Sequence, residues 1–150
     1  MAPWQVEFFL VPHRAMQQPR ALTDETVRTT DWWTGGALPA DYRSRLSAVL
    51  PSGPDSTAER ETWGSLEGNR IEVIAKEGRV AQVIARVDVR RLDATFSAGL
   101  LGFAKNAQAV LLRGDGLVAE PTVSSYSHAL RTAPAARLFS ERERASQSDE

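Results

Sequence analysis

The chain has 150 residues, 42% of them apolar and 25% charged, with a formal net charge of −1. That size and balance describe one globular domain able to bury its own core, and near-neutrality removes any general electrostatic pull toward nucleic acid or an anionic membrane. There is no cysteine, which excludes disulfides, thiolate metal sites and a cysteine nucleophile together.

The N-terminal MAPWQVEFFLVPHR carries no basic leader, and Glu7 interrupts its apolar run. No stretch approaches the ~18 apolar residues of a spanning helix. The expectation is a soluble, cytoplasmic protein. Sixteen of the eighteen basic residues are Arg, which suits forked interface contacts, although codon usage accounts for it equally well. Acids outnumber bases from Asp24 to Lys76, whereas Arg79 to Arg137 is rich in Arg, so the two halves can neutralise each other in the fold.

Trp4, Val6, Phe8 and Leu10 alternate with Gln5, Glu7, Phe9 and Val11 up to Pro12, which predicts a first strand partly covered on both faces. A short helix through Val27 follows the start signal Thr23-Asp24-Glu25. Trp32 and Trp33, followed by Gly35 and Gly36, are adjacent and cannot both face inward from one regular element. One is expected to cap the core, the other to stand exposed as an anchor for a partner. Pro39 opens a helix carrying Tyr42, Leu46, Val49 and Leu50, which ends at Pro51. PSGPDS is a loop, Glu61 to Leu66 a strand, and Glu67-Gly68-Asn69 a turn.

From Arg70 to Arg90 the period is two again. Cross-strand partners must share a face, and on that parity a three-residue loop of Lys76, Glu77 and Gly78 sets Ala75 opposite Arg79, Val73 opposite Ala81 and Ile71 opposite Val83. One face of this hairpin is then apolar. The other carries Arg70, Glu72, Arg86, Asp88 and Arg90, which either pair across the strands or form a binding surface for a charged partner.

Asp93 caps a helix presenting Phe96, Leu100 and Phe103 to Asn106, and Gly99 and Gly102 let it lie close on the sheet. Residues 109–112 form a buried strand, Gly114-Asp115-Gly116 a turn, and Leu117-Val118 pairs back. Pro121 opens a last helix with Val123, Tyr126 and Leu130 inward. The fold class is α+β: a single domain over 1–139, with an antiparallel or mixed sheet of four to five strands and helices mainly on one face. Residues 140–150 form a polar tail too charged to pack.

Sites of known chemistry are not spelled. His13 and His128 lack a ligand pattern, so no metal is expected, and nothing implies a cofactor or catalytic residue. Ser124, Ser125 and Ser127 stand beside His128 without a G-x-S-x-G elbow. Arg113-Gly114-Asp115 is an ordinary turn, and Gly114-Asp115-Gly116 lacks the rest of a phosphate loop.

The run WGSLEGNRIEV, then GRVAQVIARVDVR, then Phe96 to Phe103 resembles short bacterial α+β proteins of the immunity type, over about the middle third of the chain. That resemblance implies a non-enzymatic protein-binding module that neutralises a cognate toxin, with Trp32, Trp33, Arg70, Glu72, Arg86, Asp88 and Arg90 as its contact residues. The alternative is a small-molecule binder or enzyme using Arg86, Asp88, Glu72 or His128 in a pocket between sheet and helices.

Overall fold

The computed structural model describes residues 1–137. The alternating N-terminal segment forms β1 (Gln5–Pro12), followed by α1 (His13–Met16), α2 (Asp24–Thr29) and α3 (Tyr42–Val49). Then come β2 (Arg60–Gly64), β3 (Arg70–Lys76), β4 (Arg79–Asp88), α4 (Ala94–Asn106), β5 (Ala109–Arg113), β6 (Val118–Ala119) and α5 (Val123–Arg131). All strands join one antiparallel sheet in the order β2-β3-β4-β1-β5-β6. The α+β class holds, with six strands rather than four to five, because Val118 and Ala119 pair with Leu112 and Leu111. The polar tail expected over 140–150 lies outside the described residues.

β1 lies inside the sheet and is buried on both faces. Its register sets Val6 opposite Val87 and Phe8 opposite Ala85 on one side, and Leu10 opposite Leu111 on the other. These residues share a face with Ile71, Val73 and Trp63, and α3, α4 and α5 cover it. Tyr126 of α5 lies against Phe8 with ring centroids 6.0 Å apart. Gly99 brings α4 close to α3 rather than to the sheet, since a Cβ there would sit 3.0 Å from the Val49 methyls, while Gly102 faces open space.

The caps foreseen for α2 and α4 are in place: the Thr23 and Asp93 side chains accept from the Thr26 and Phe96 backbone N–H groups. Two helix starts differ from expectation. Pro39 accepts from the Tyr42 N–H in a turn ahead of α3, and Thr122 rather than Pro121 caps α5, leaving Val123 73% exposed instead of inward.

The opposite face of the sheet carries Glu7, Phe9, Glu72, Gln82, Ile84 and Arg86, and it too is covered. Gln82 donates to the carbonyls of Arg28 (2.8 Å) and Thr30 (3.0 Å), which holds α2 and the segment after it across this face. The helices therefore divide, with α3 to α5 on one side and α2 on the other. Beyond β2, the Gly64 N–H donates to Pro51 and the Gly53 N–H to Thr62, both at 2.7 Å, so the 51–53 segment pairs along the outer edge. Gly53 is needed there, because a Cβ would fall 2.3 Å from the Thr62 hydroxyl.

The β3–β4 register corrects the parity argument. Lys76 pairs with Arg79 across a two-residue turn, and Glu77 and Gly78 both have positive φ, 54° and 75°. That pair of left-handed residues matches the twist of a tight hairpin. A β-bulge then restores the facing: Ala75 opposes Val80 but Ile74 opposes Gln82, leaving Ala81 as the extra residue. Val73 thus meets Val83, and Ile71 meets Ala85.

The bulge leaves room for Trp33. Its backbone N–H donates to the Ala81 carbonyl (3.2 Å) and its indole N–H to the Leu10 carbonyl (2.9 Å), so one residue bridges β1 and β4 where their ladder ends. Trp32 turns the other way and donates to the Val27 carbonyl (3.0 Å). Both are buried, at 3% and 2% exposure, and the expectation of one exposed tryptophan anchor is overturned. Two neighbouring rings are buried together because the segment is a turn and neither strand nor helix, so alternation does not apply.

Trp33→Phe keeps an aromatic ring but deletes the fused pyrrole and with it the donor. Leaving the Leu10 carbonyl unpaired is expected to lower stability by about 1–3 kcal/mol in urea unfolding; a variant as stable as the parent would show that the bridge contributes nothing.

Candidate functional site

Most of the charged residues foreseen as an outward face of the hairpin lie inside. Arg70 and Glu72 are 2% and 3% exposed, and Glu7 of β1 joins them at 6%. Arg70 and Arg86 stand directly opposite each other, a repulsive placement in isolation. Glu72 resolves it: its Oε1 accepts from Arg70 Nε and from Arg86 Nη1, each at 2.7 Å. Arg86 Nε donates to Glu7 Oε2 (3.2 Å), and Arg28 of α2 donates to the other Glu7 oxygen.

At the far end Arg70 donates to Asp55 (2.7 Å), which also accepts from the Thr62 hydroxyl (2.8 Å), while Arg60 approaches Glu72 at 3.7 Å. The result is a line of alternating charge, Arg28, Glu7, Arg86, Glu72, Arg70, Asp55, running across β1, β4 and β3. The loop bearing Asp55 closes it from above. Arg70 and Glu72 are therefore unavailable to a partner, and Arg86 only marginally available.

Burial by itself would raise the Glu72 carboxyl, but its hydrogen bond from Arg70 and the charges of Arg86, Arg70 and Arg60 hold it below its ordinary value of 4.5. Asp55 is held at about 2, chiefly by its hydrogen bonds from Arg70 and Thr62. Carboxylates kept ionised in this way are poor proton donors at neutral pH. The line is a clamp between strands, and its chemistry is structural.

The residues named for the alternative site are not brought together. Glu72, Arg86 and Asp88 lie on the face under α2, whereas His128 lies on α5 across the sheet, in a recess of about 350 Å³ with Ser124, Ser125 and Arg131. His13 is exposed, 3.5 Å from Glu120.

Arg90 remains at the surface with 41% of its side chain exposed, Asp88 sits half-buried beside it at 13%, and the structure adds a third residue to them. Asp88 accepts a forked pair of bonds from Arg90, Nε at 3.1 Å and Nη2 at 2.9 Å. The guanidinium so fixed lies 3.9 Å from the centroid of the Trp4 ring. Trp4 in turn donates its indole N–H to the Glu67 carbonyl (2.7 Å), and Gln5 ties the same loop by donating to the Leu66 and Gly68 carbonyls. Leu66 (68%) and Leu92 (61%) flank this stack in solvent. Reading Trp4 as the first inward residue of β1 concealed its part; the signal was a tryptophan placed ahead of the paired run, near a chain end.

No known protein family, curated protein or solved structure matches this chain. Among the described residues, no helix is long and apolar enough to cross a membrane.

Two measurements test the clamp. Arg86→Met removes one guanidinium from each of Glu7 and Glu72 and leaves them to Arg28 and Arg70, and it is expected to cost about 1–3 kcal/mol in chemical unfolding. Because the folded pKa of Glu72 is depressed, its ionised form stabilises the fold above 4.5, and that contribution is lost as pH falls through the lower folded value. Glu72→Gln is therefore expected to be less stable than the parent at neutral pH and to show a shallower loss below pH 4.5; parallel stability curves for the two proteins would contradict this.

Proposed function

We propose that this chain is a non-enzymatic protein-binding module whose contact surface is centred on Trp4 and Arg90, flanked by Leu66 and Leu92. One observation carries the reading: a tryptophan and an arginine stacked at 3.9 Å and locked by Asp88 and Glu67, with two exposed leucines beside them. Trp and Arg are the residue types most enriched among binding hot spots. Their rotamers here are set before any partner arrives, which reduces the entropy lost on association. Leu66 and Leu92, close in the chain to Glu67 and Arg90, offer exposed apolar area that a partner can cover.

The finer reading, an immunity protein that occupies a toxin, is supported by where the resemblance falls. WGSLEGNRIEV contains Leu66 and Glu67, and the Arg-Val-Asp-Val-Arg at the end of GRVAQVIARVDVR contains Asp88 and Arg90. The segments that carry the likeness thus supply most of the proposed surface. Trp32, Trp33, Arg70 and Glu72 leave the contact set.

Full-length protein used as bait in a lysate of its source, followed by binding kinetics on the captured protein, tests this. Trp4→Ala is expected to weaken the complex by ~2 kcal/mol or more with the melting temperature preserved. Arg90→Glu is expected to slow association in a salt-dependent way. A captured protein that binds both variants as tightly as the parent would place the interface elsewhere.

A further inference from the structure

Independently of that surface, the tip of the β3–β4 hairpin and the chain segment 34–40 enclose a cleft of about 690 Å³. Small-molecule sites occupy roughly 300–1,000 Å³. The floor is apolar: the edge of Trp33, the ring of Tyr42, and Val80 beside the bulged Ala81. The wall, Gly35 to Ala40, carries small side chains apart from Leu38, so the cavity is not filled by the chain that surrounds it.

The floor is also fixed in place. Trp33 is held at both of its N–H groups, as described above, and the Tyr42 hydroxyl donates to Glu61 at 2.7 Å. That bond and burial raise the Tyr42 hydroxyl to about 12, burial being the larger cause, so at neutral pH the ring brings no charge to the cleft.

The rim discriminates between its two cations. Lys76 is bound by Asp31 at 2.8 Å, while Arg79 has no carboxylate within ion-pair distance among the described residues. Glu77 at the turn offsets the charge of Arg79 at longer range, so the rim as a whole is neutral. A neutral rim gives no attraction to a polyanion such as a phosphate ester. A guanidinium without a carboxylate partner among the described residues, beside an apolar floor, does favour one carboxylate, to which its fork donates bidentately.

We infer that the cleft between the 34–40 segment and the hairpin tip binds a small monocarboxylate with a flat apolar body, the carboxylate on Arg79 and the body over Val80, Leu38 and the edge of Trp33. An ion pair to a guanidinium as exposed as that of Arg79 contributes roughly twofold to fivefold in affinity.

Calorimetry with 3-phenylpropionate and with its amide tests this on the full chain. The acid is expected to bind the parent more tightly than the amide. Arg79→Gln is expected to weaken the acid about twofold to fivefold and leave the amide unchanged, and Ala37→Trp, which fills the cavity, to abolish binding of both. Amide resonances of Trp33, Gly36 and Val80 are expected to shift when the acid is added to the parent, a readout that needs neither variant to fold. No heat of binding from the acid, equal affinity for acid and amide, or shifts confined to other parts of the sheet would overturn the assignment.

Discussion

Glu72 accepts two guanidinium groups on one oxygen, and the sheet is arranged to let it. Arg70 and Arg86 face each other across β3 and β4, Glu7 reaches Arg86 from β1, and Arg28 reaches Glu7 from α2. Two glutamates and an arginine this deeply buried would each cost several kcal/mol if left alone, so the members stand or fall together. A hydrophobic set of the same volume would serve stability as well or better; what the charges add is register. Sliding β3 by one residue against β4 would send Arg70 and Glu72 to the face under α3 and α4, among Phe8, Leu100 and Leu111. Four arginines meet three carboxylates in this cluster, so it presents a slight positive bias to the solvent at the exposed ends of Arg28 and Arg60.

Much of the fold was legible because it follows from periodicity and caps. β1, the hairpin strands, α4 with its Asp93 cap and the 109–112 strand all come directly from spacing of two or of about three and a half. The register of the hairpin was not legible, because parity assumes an unbroken ladder and Ala81 breaks it. Nothing in the letters Val80-Ala81-Gln82 distinguishes a bulged alanine from a paired one; the group that takes up the Ala81 carbonyl is the N–H of Trp33, almost fifty positions earlier.

The charged residues show the same limit from the other side. Alternation correctly put Arg70, Glu72 and Arg86 on one face, but it cannot say whether that face meets water or another part of the chain. Here the cover comes from α2 and from the loop holding Asp55, both irregular in sequence. Arg90 shares that pattern and stays exposed, because the covering segments stop short of it, while Asp88 is half-buried beneath its guanidinium. Trp4, half-buried against Arg90, then takes the surface role that Trp32 and Trp33 were expected to provide.

The pairing of Pro51 and Gly53 along β2 has a consequence for how this molecule can meet its own copies. An open outermost strand offers a row of unused N–H and C=O groups and acts as a template for another strand. On this side the row is occupied at Thr62 and Gly64, and on the other side the outermost strand is only two residues long, too brief to seed a ladder. Runaway strand addition, the usual hazard for a sheet rich in Val and Ile, is blocked at both margins. Among the described residues, contacts with other molecules then rest on side chains more than on strand pairing, which makes the identity of individual surface residues, more than backbone complementarity, the determinant of what the chain holds.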